Sequence, residues 1–264
     1  MSDFEQRFGG IQRLYGRIEL EKFRRAHVCI VGIGGVGSWA VEALARSGVG
    51  RLTLIDLDEI CVSNVNRQLH ALDGEIGKAK VESIAARVRA INPECVVETI
   101  QEFFTAANAE SLLSKGFDVV LDAIDNVPNK CLLIARCREK GIPIVTTGGA
   151  GGRRDPTRIK TADLSESTHD VLLQFVRKKL REEFGFTREL KKLFGVDCVF
   201  TTELPVYPQS DGTVCLDREA GSVIRINCDS GYGTATFVTG TFGFIAAGQV
   251  LKAVLASTDV RKAS

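Results

Sequence analysis

The sequence lacks a charge excess, paired cysteines and repeats, and each absence removes a class of protein. Lys and Arg total 34 against 33 Asp and Glu, a net charge of +1 over 264 residues. A chain that coats nucleic acid indiscriminately is far more basic, so any nucleic acid here is held by a local patch. None of the eight cysteines forms a C-x-x-C pair, which argues against a zinc ribbon and predicts no zinc. The three histidines, His27, His70 and His169, are too scattered to form a metal site. There is no internal repeat and no low-complexity tract. A composition 44% hydrophobic and 25% charged excludes disorder, collagen and coiled coil, and predicts a sizeable core. The opening Met-Ser-Asp-Phe-Glu-Gln-Arg has no basic stretch leading into an apolar one, as a secretory signal would. The expectation is a cytoplasmic protein with reduced thiols.

Charge is also missing from one long stretch, Gly231 to Leu251, which is long enough to cross a bilayer. It is rich in glycine and threonine, and a small-residue helix is expected over Phe242–Ala256. Buried helices behind α/β sheets look the same. A soluble core helix is therefore the main reading of the apolar segment 231–256, with membrane association as the alternative.

What is present alternates between strands and helices. Apolar runs at Val28–Val31, Leu52–Ile55, Val96–Ile100, Phe117–Ile124 and Ile144–Thr147 predict buried strands. Helical spacing appears at Val36–Arg46, Lys78–Ile91, Asn108–Ser114 and Asn129–Lys140. This order predicts an α/β fold, a Rossmann-like doubly wound sheet, mostly parallel, with helices on both faces. A single domain over residues 1–264 is expected. It includes a polar, basic excursion over 153–195 with a helix from Val171 to Phe194, a loop-rich stretch from Cys198 to Ser230, and a C-terminal helix.

Gly32-Ile33-Gly34-Gly35-Val36-Gly37 lies between the first predicted strand and the first of these helices. Glycines there let backbone approach a phosphate, and the helix N-terminus supplies amide donors and positive dipole. Asp56 closes the second strand, where a carboxylate can hold ribose hydroxyls. Alone, these features fit an NAD-dependent dehydrogenase equally well. The following residues do not. Asn64, Asn66, Arg67 and Gln68, then Lys78 and Lys80, exceed what a dinucleotide needs, and they suit a triphosphate. Asp125, at the end of the fourth strand, faces the same crevice and could hold magnesium.

Four segments in this order resemble the ubiquitin-activating-enzyme-like family, which includes the molybdopterin-synthase and thiamine sulfur-carrier adenylyltransferases. They are Gly34-Gly35-Val36-Gly37-Ser38, Ser63-Asn64-Val65-Asn66-Arg67-Gln68, Gly77-Lys78-Ala79-Lys80-Val81-Glu82 and Asp122-Ala123-Ile124-Asp125-Asn126. The resemblance covers about Arg7 to Gly149. It implies transfer of AMP from ATP to a carboxylate with release of pyrophosphate. It implies that Gly34, Gly35 and Gly37 lie under the nucleotide and Asp56 binds ribose. Asn64, Arg67, Gln68 and Lys80 would hold the phosphates, and Asp125 would take Mg2+ with Asn126 beside it. It further implies a homodimer in which an N-terminal arginine reaches the neighbouring subunit's phosphates. The usual Arg-x-x-Arg is replaced here by Arg7-Phe8-Gly9-Gly10, so Arg13 is the favoured substitute, with Arg17 as the other choice. The catalytic set on this reading is Arg67, Lys80, Asp125 and Arg13. An alkali metal ion is a possible further cofactor with no assignable ligands.

The activated acid is the next question. Relatives that act on ubiquitin-like proteins often carry zinc pairs and a nucleophilic cysteine after the fifth strand. This chain has neither, and after Thr147 no cysteine occurs until Cys198. The second half is instead locally basic. Arg153, Arg154, Arg177, Lys178, Lys179, Arg181, Lys191 and Lys192 are candidate tRNA contacts, weighed against an ordinary solvated helix face. The pattern resembles the branch of the family that dehydrates a threonylcarbamoyl-modified adenosine next to the anticodon of tRNA. That resemblance implies an acyl adenylate closed by the neighbouring carbamoyl group. The alternative is an adenylyltransferase for a ubiquitin-like sulfur carrier, with Cys198 or Cys215 as sulfur acceptor and a cysteine desulfurase as partner. A non-catalytic nucleotide-sensing module is a third reading. Trp39 and His27 read as structural, His169 as a cap or surface residue, and His70 as a residue within reach of the nucleotide.

Overall fold

The computed structural model describes residues 2–189, 191–217 and 232–260. Two helices come first, α1 (Asp3–Tyr15) and α2 (Arg17–Arg25). The alternating unit follows as β1 (His27–Val31), α3 (Gly37–Arg46), β2 (Arg51–Ile55), α4 (Lys80–Ile91), β3 (Val96–Ile100), α5 (Ala109–Leu113), β4 (Val119–Asp122), α6 (Val127–Glu139) and β5 (Ile144–Thr147). Then come β6 (Ile159–Asp163), α7 (Val171–Glu183), β7 (Asp197–Thr201), a hairpin of β8 (Tyr207–Pro208) with β9 (Val214–Cys215), and α8 (Thr236–Val260).

One sheet runs β3-β2-β1-β4-β5-β7-β6. All its pairs are parallel except β6 with β7. Ile30 of β1 sits beside Leu54 on one side and Leu121 on the other, so the central strands present apolar residues in rows. Alternate residues feed two cores. Val28, Ile30, Leu52 and Leu54 pack under α3, α4 and α8, while Cys29, Val31 and Val120 pack under α5, α6 and α7. Every residue of β1 is buried, as the unbroken apolar run requires.

The five predicted strands and the four helices between them are present with small shifts at their ends. The second half differs more from expectation. The polar stretch after Arg153 contains β6, an edge strand with no fully buried residue (Ile159-Lys160-Thr161-Ala162-Asp163) that no apolar run announces. The basic helix stops at Glu183, not Phe194. Gly185 takes a left-handed φ of 65°, and the Phe186 amide bonds back to the Leu180 carbonyl, which closes the helix end. The stretch expected to be loop-rich opens with β7, whose Cys198, Val199 and Phe200 are core residues.

The uncharged C-terminal segment forms α8, which begins before the expected Phe242 and is packed against α3 and the sheet. Val238, Phe242, Val250 and Val254 are fully buried, each contributing about 1.5–3 kcal/mol of apolar transfer energy. Gly243 is what lets the two helices meet, since a Cβ there would fall 2.6 Å from the Val36 carbonyl. The span Thr236–Ser257 is long and apolar enough to cross a membrane, but 56% of its most apolar window is buried within the protein. Cys228 and Gly231 lie outside the described residues.

Candidate active site

The crevice forms where the chain leaves the C-terminal edges of β1, β2 and β4. Gly32 takes a φ of +93°, and a side chain there would press on the Ala123 carbonyl at 2.7 Å. A Cβ on Gly37 would fall 1.8 Å from the Gly32 carbonyl. The loop is thus folded tightly on itself and admits only glycine at both points. No side chain caps the start of α3; the Ser38 amide is taken by the Gly34 carbonyl at 3.1 Å, and the helix end still presents its positive dipole to an anion.

The polar residues expected from the sequence converge here. Asp56 is buried, accepting from the Ile33 amide at 2.6 Å and from the Asp58 amide at 2.9 Å. Burial raises its pKa, and the nearby Lys80 charge opposes the rise. Asp56 therefore shapes the phosphate loop as well as facing the crevice. Asn64 is turned inward and accepts from the Cys61 amide at 3.1 Å, bracing the Val62–Asn64 turn. Arg67 lies over Gly35, where a glycine Cβ would sit 3.4 Å from its Cγ, and its guanidinium donates to the Ser63 carbonyl at 2.7 Å. Gln68 stands over Gly34, and its buried Oε1 has no partner among the described residues. Lys80 opens α4, is 6% exposed, and donates to Asp58 at 2.7 Å. Asn126 caps α6 by accepting from the Asn129 amide. Beside it Asp125 is exposed, with no side-chain hydrogen bond among the described residues.

The buried supports behind this surface were not expected. Lys130 is fully buried on α6, with Nζ 2.9 Å from Asp122 Oδ2 and donating to the Ile124 carbonyl at 2.9 Å. Asp122 also accepts from the Thr146 hydroxyl at 2.7 Å and from the Ile124 amide at 3.0 Å. Lys130 and Asp122 thereby fix the backbone that presents Asp125. A lysine inside the run Asn129-Lys130-Cys131-Leu132-Leu133-Ile134 was the available signal. Trp39, read as core, is only half-buried and donates to the Arg67 carbonyl at 3.0 Å. Thr239 of α8 donates to the same carbonyl at 3.3 Å, and Thr236 donates to the Asn66 carbonyl. His70 is 4% exposed and neither ring nitrogen has a partner among the described residues. Burial, helped by Lys80, lowers its pKa to about 4.

Arg13 is exposed at the end of α1. Phe4 and Phe8 of that helix pack by Gly48, and Arg7 donates to the Ile91 carbonyl. These are the N-terminal edges of the strands, the end of the sheet away from the crevice. No hydrogen bond or ion pair joins Arg13 to a crevice residue among the described residues.

The basic set divides. Lys178, Lys191 and Lys192 are exposed, as is Arg154. Lys179 and Arg181 are half-buried, the first paired with Glu183 at 2.6 Å and the second lying over the Phe194 ring. Arg177 is half-buried and donates to the Ser167 hydroxyl. Arg153 is the exception to expectation. It is 4% exposed and donates to the His169 carbonyl at 3.0 Å, so it offers no surface to an RNA backbone. Cys198 is 1% exposed with its thiol pKa pushed up by burial, which removes it as a sulfur acceptor, whereas Cys215 is exposed. His169 is exposed, a surface residue with a left-handed φ of 59°, and Asp170 is the residue that caps α7.

A glycine phosphate loop, an uncapped helix start and two crevice cations define an ATP-using α/β domain of the adenylating type. The chain belongs to the ThiF family, whose model matches residues 10–263. It is 53% identical over 254 residues to the tRNA threonylcarbamoyladenosine dehydratase of Escherichia coli, covering 96% of this chain and 95% of that one. Two solved structures of E. coli tRNA N6-threonylcarbamoyladenosine dehydratase superpose closely. The ATP complex gives a TM-score of 0.87 at 48% identity, and the AMP complex 0.86 at 48%; each covers 98% of both chains.

Proposed function

We propose that this chain is an ATP-dependent tRNA threonylcarbamoyladenosine dehydratase. The observation that carries the reading is the near full-length match to enzymes of that name, on a crevice built for a triphosphate. The threonyl carboxylate of the modified adenosine attacks the α-phosphorus of ATP, the α–β bridging bond breaks, and pyrophosphate leaves. The product is an acyl adenylate. The adjacent carbamoyl group then attacks the activated carbonyl, AMP departs with the former carboxylate oxygen, and a proton is lost as the ring closes. The net change in the RNA is loss of one water.

The residues supply positioning and charge. The loop from Gly32 to Gly37 and the positive end of α3 receive phosphate oxygens, and Arg67 and Lys80 oppose the negative charge that builds on them. The nucleophile of the second step is already tethered to its target, so proximity replaces a catalytic cysteine. Asp125 fits Mg2+, because its exposed carboxylate is not engaged by the described residues and Mg2+ commonly takes one carboxylate plus substrate phosphates. When bound, Mg2+ neutralises phosphate charge. No ligands are assigned to an alkali ion.

Arg13 serves a crevice only if a second copy presents it, which supports a homodimer. The exposed lysines after Asp170 supply the tRNA contact. A cytoplasmic location suits an enzyme that uses ATP and tRNA.

The test is a reaction of purified protein with ATP and tRNA, with or without the modification. Pyrophosphate and AMP form only with modified tRNA, whose nucleoside becomes one water lighter. Exchange of pyrophosphate driven by a Gly-Gly-tailed protein without RNA would instead support the sulfur-carrier reading.

A further inference from the structure

A cleft of about 280 Å3 opens between the first two turns of α7 and the segment leading into the β8–β9 hairpin. Its walls include His169, Gln174, Arg177, Leu204, Tyr207 and Leu216. None of these belongs to the ATP crevice. We propose that this cleft is the acceptor subsite, and that it takes the modified purine nucleoside of the RNA. The proposal rests on the tRNA reading above and says where that substrate sits.

The cleft is on the reacting side of the sheet. Asp170, just before α7, accepts from the Gly149 amide at 2.9 Å, immediately beyond the C-terminal edge of β5. Asp125 and Asn126 lie just beyond the same edge of β4, at the start of α6. β4 and β5 are neighbours, and α6 and α7 pack side by side. Packed helices lie about 8–10 Å apart. A base held at the α7 N-terminus is thus one short side chain away from Asp125 at the α6 N-terminus, the residue assigned to the Mg2+ that meets the phosphates. The threonylcarbamoyl arm is such a side chain.

The lining suits a flat, polar-edged ring. Leu204 and Leu216 are 53% and 60% exposed and offer apolar faces for a base to lie against, while Tyr207, buried with its ring against Tyr232, forms the floor behind them. Gln174 brings an amide that can read a base edge. Arg177 brings a cation for the carboxylate or a phosphate. At this volume the cleft matches one nucleoside and not a length of strand.

The backbone at the cleft is held in a costly conformation. His169 has a left-handed φ of 59°, uncommon for a residue with a side chain. Arg153 secures it from inside, donating through Nη2 to the His169 carbonyl. Its Nε and Nη1 are buried with no partner among the described residues. Strained turns and short-changed buried cations concentrate where a ligand binds.

Gln174→Leu and Leu204→Trp test the assignment, since both side chains are exposed and the fold does not need them. Steady-state kinetics are measured with modified tRNA, alongside thermal midpoints and binding of unmodified tRNA. Each variant is expected to raise KM for modified tRNA at least tenfold. KM for ATP and affinity for unmodified tRNA should stay within twofold. Free N6-threonylcarbamoyladenosine, added in equilibrium dialysis with a non-hydrolysable ATP analogue, should bind wild type and not Leu204→Trp. An unchanged KM in both variants overturns the proposal, as does equal weakening toward modified and unmodified tRNA, or absence of nucleoside binding to wild type. If the wild type itself forms no AMP with modified tRNA, the functional reading fails instead.

Discussion

The two ends of the sheet's C-terminal edge treat charge in opposite ways. Around β1, β2 and β4 two lysines are buried and held: Lys130 by the equally buried Asp122, and Lys80 by Asp58 at the surface of the crevice. Along the outer face of α7 the cations are exposed or half-exposed and met only by neighbours one turn away, as Lys178 is by Glu182 and Lys179 by Glu183. Buried pairs are rigid and expensive to break, whereas surface pairs cost little to exchange for another anion. Charge that must meet a transition state is fixed in advance, and charge that must meet a mobile polyanion stays free to move. Arg153 marks the boundary, a buried cation on the recognition side.

This contrast can be broken by experiment, most severely at the buried pair. Lys130→Met leaves Asp122 without its counter-ion and should cost about 3–5 kcal/mol in urea unfolding. Lys178→Met should change stability by no more than about 0.5 kcal/mol. Equal losses at both positions would erase the distinction. Next in size is catalysis. Arg67→Ala or Lys80→Met should slow single-turnover AMP formation by about 10²–10³-fold while tRNA affinity holds. The converse change is Lys178→Glu with Lys179→Glu. It should leave the rate on saturating tRNA intact and weaken tRNA binding, with the log–log salt slope falling by about one for each lysine that touches a phosphate. A separate test is in pH. His27 and His70 are both held near a pKa of about 4, chiefly by burial. Between about 4 and the ordinary 6.5, the unfolded chain binds these protons and the folded chain does not. Their share of stability is complete above 6.5 and is lost as pH falls toward 4. His70→Gln should flatten that fall by about one proton, read from denaturant midpoints across the window.

The same contrast governs what could be read from the chain. Gly32 to Gly37, Arg67, Lys80 and Asp125 were legible because a triphosphate site needs particular side chains at strand ends, and buried parallel strands write themselves as apolar runs. Beyond Gly152 the signals weaken. β6 is an edge strand whose consecutive exposed Lys160 and Thr161 look like a loop, and Gly185 ended a helix that charge pattern alone would have carried to Phe194. Arg153 was misjudged because sequence shows a charge and not the depth at which it lies. Lys130 was missed for the same reason, since its value comes from Asp122 and Thr146, which only the folded sheet brings beside it. Trp39 and Thr239 act through the Arg67 carbonyl, a contact across distant parts of the chain that no local pattern contains.

The grip of α8 on Arg67 has a consequence for biogenesis. Every other element packed around the phosphate loop precedes α8 in the chain, so it leaves the ribosome earlier. Until Thr236 and Thr239 arrive, the Arg67 turn lacks its clamp and the outer surface of α3 stands uncovered and oily. A nascent polypeptide halted short of that helix should therefore be a chaperone client.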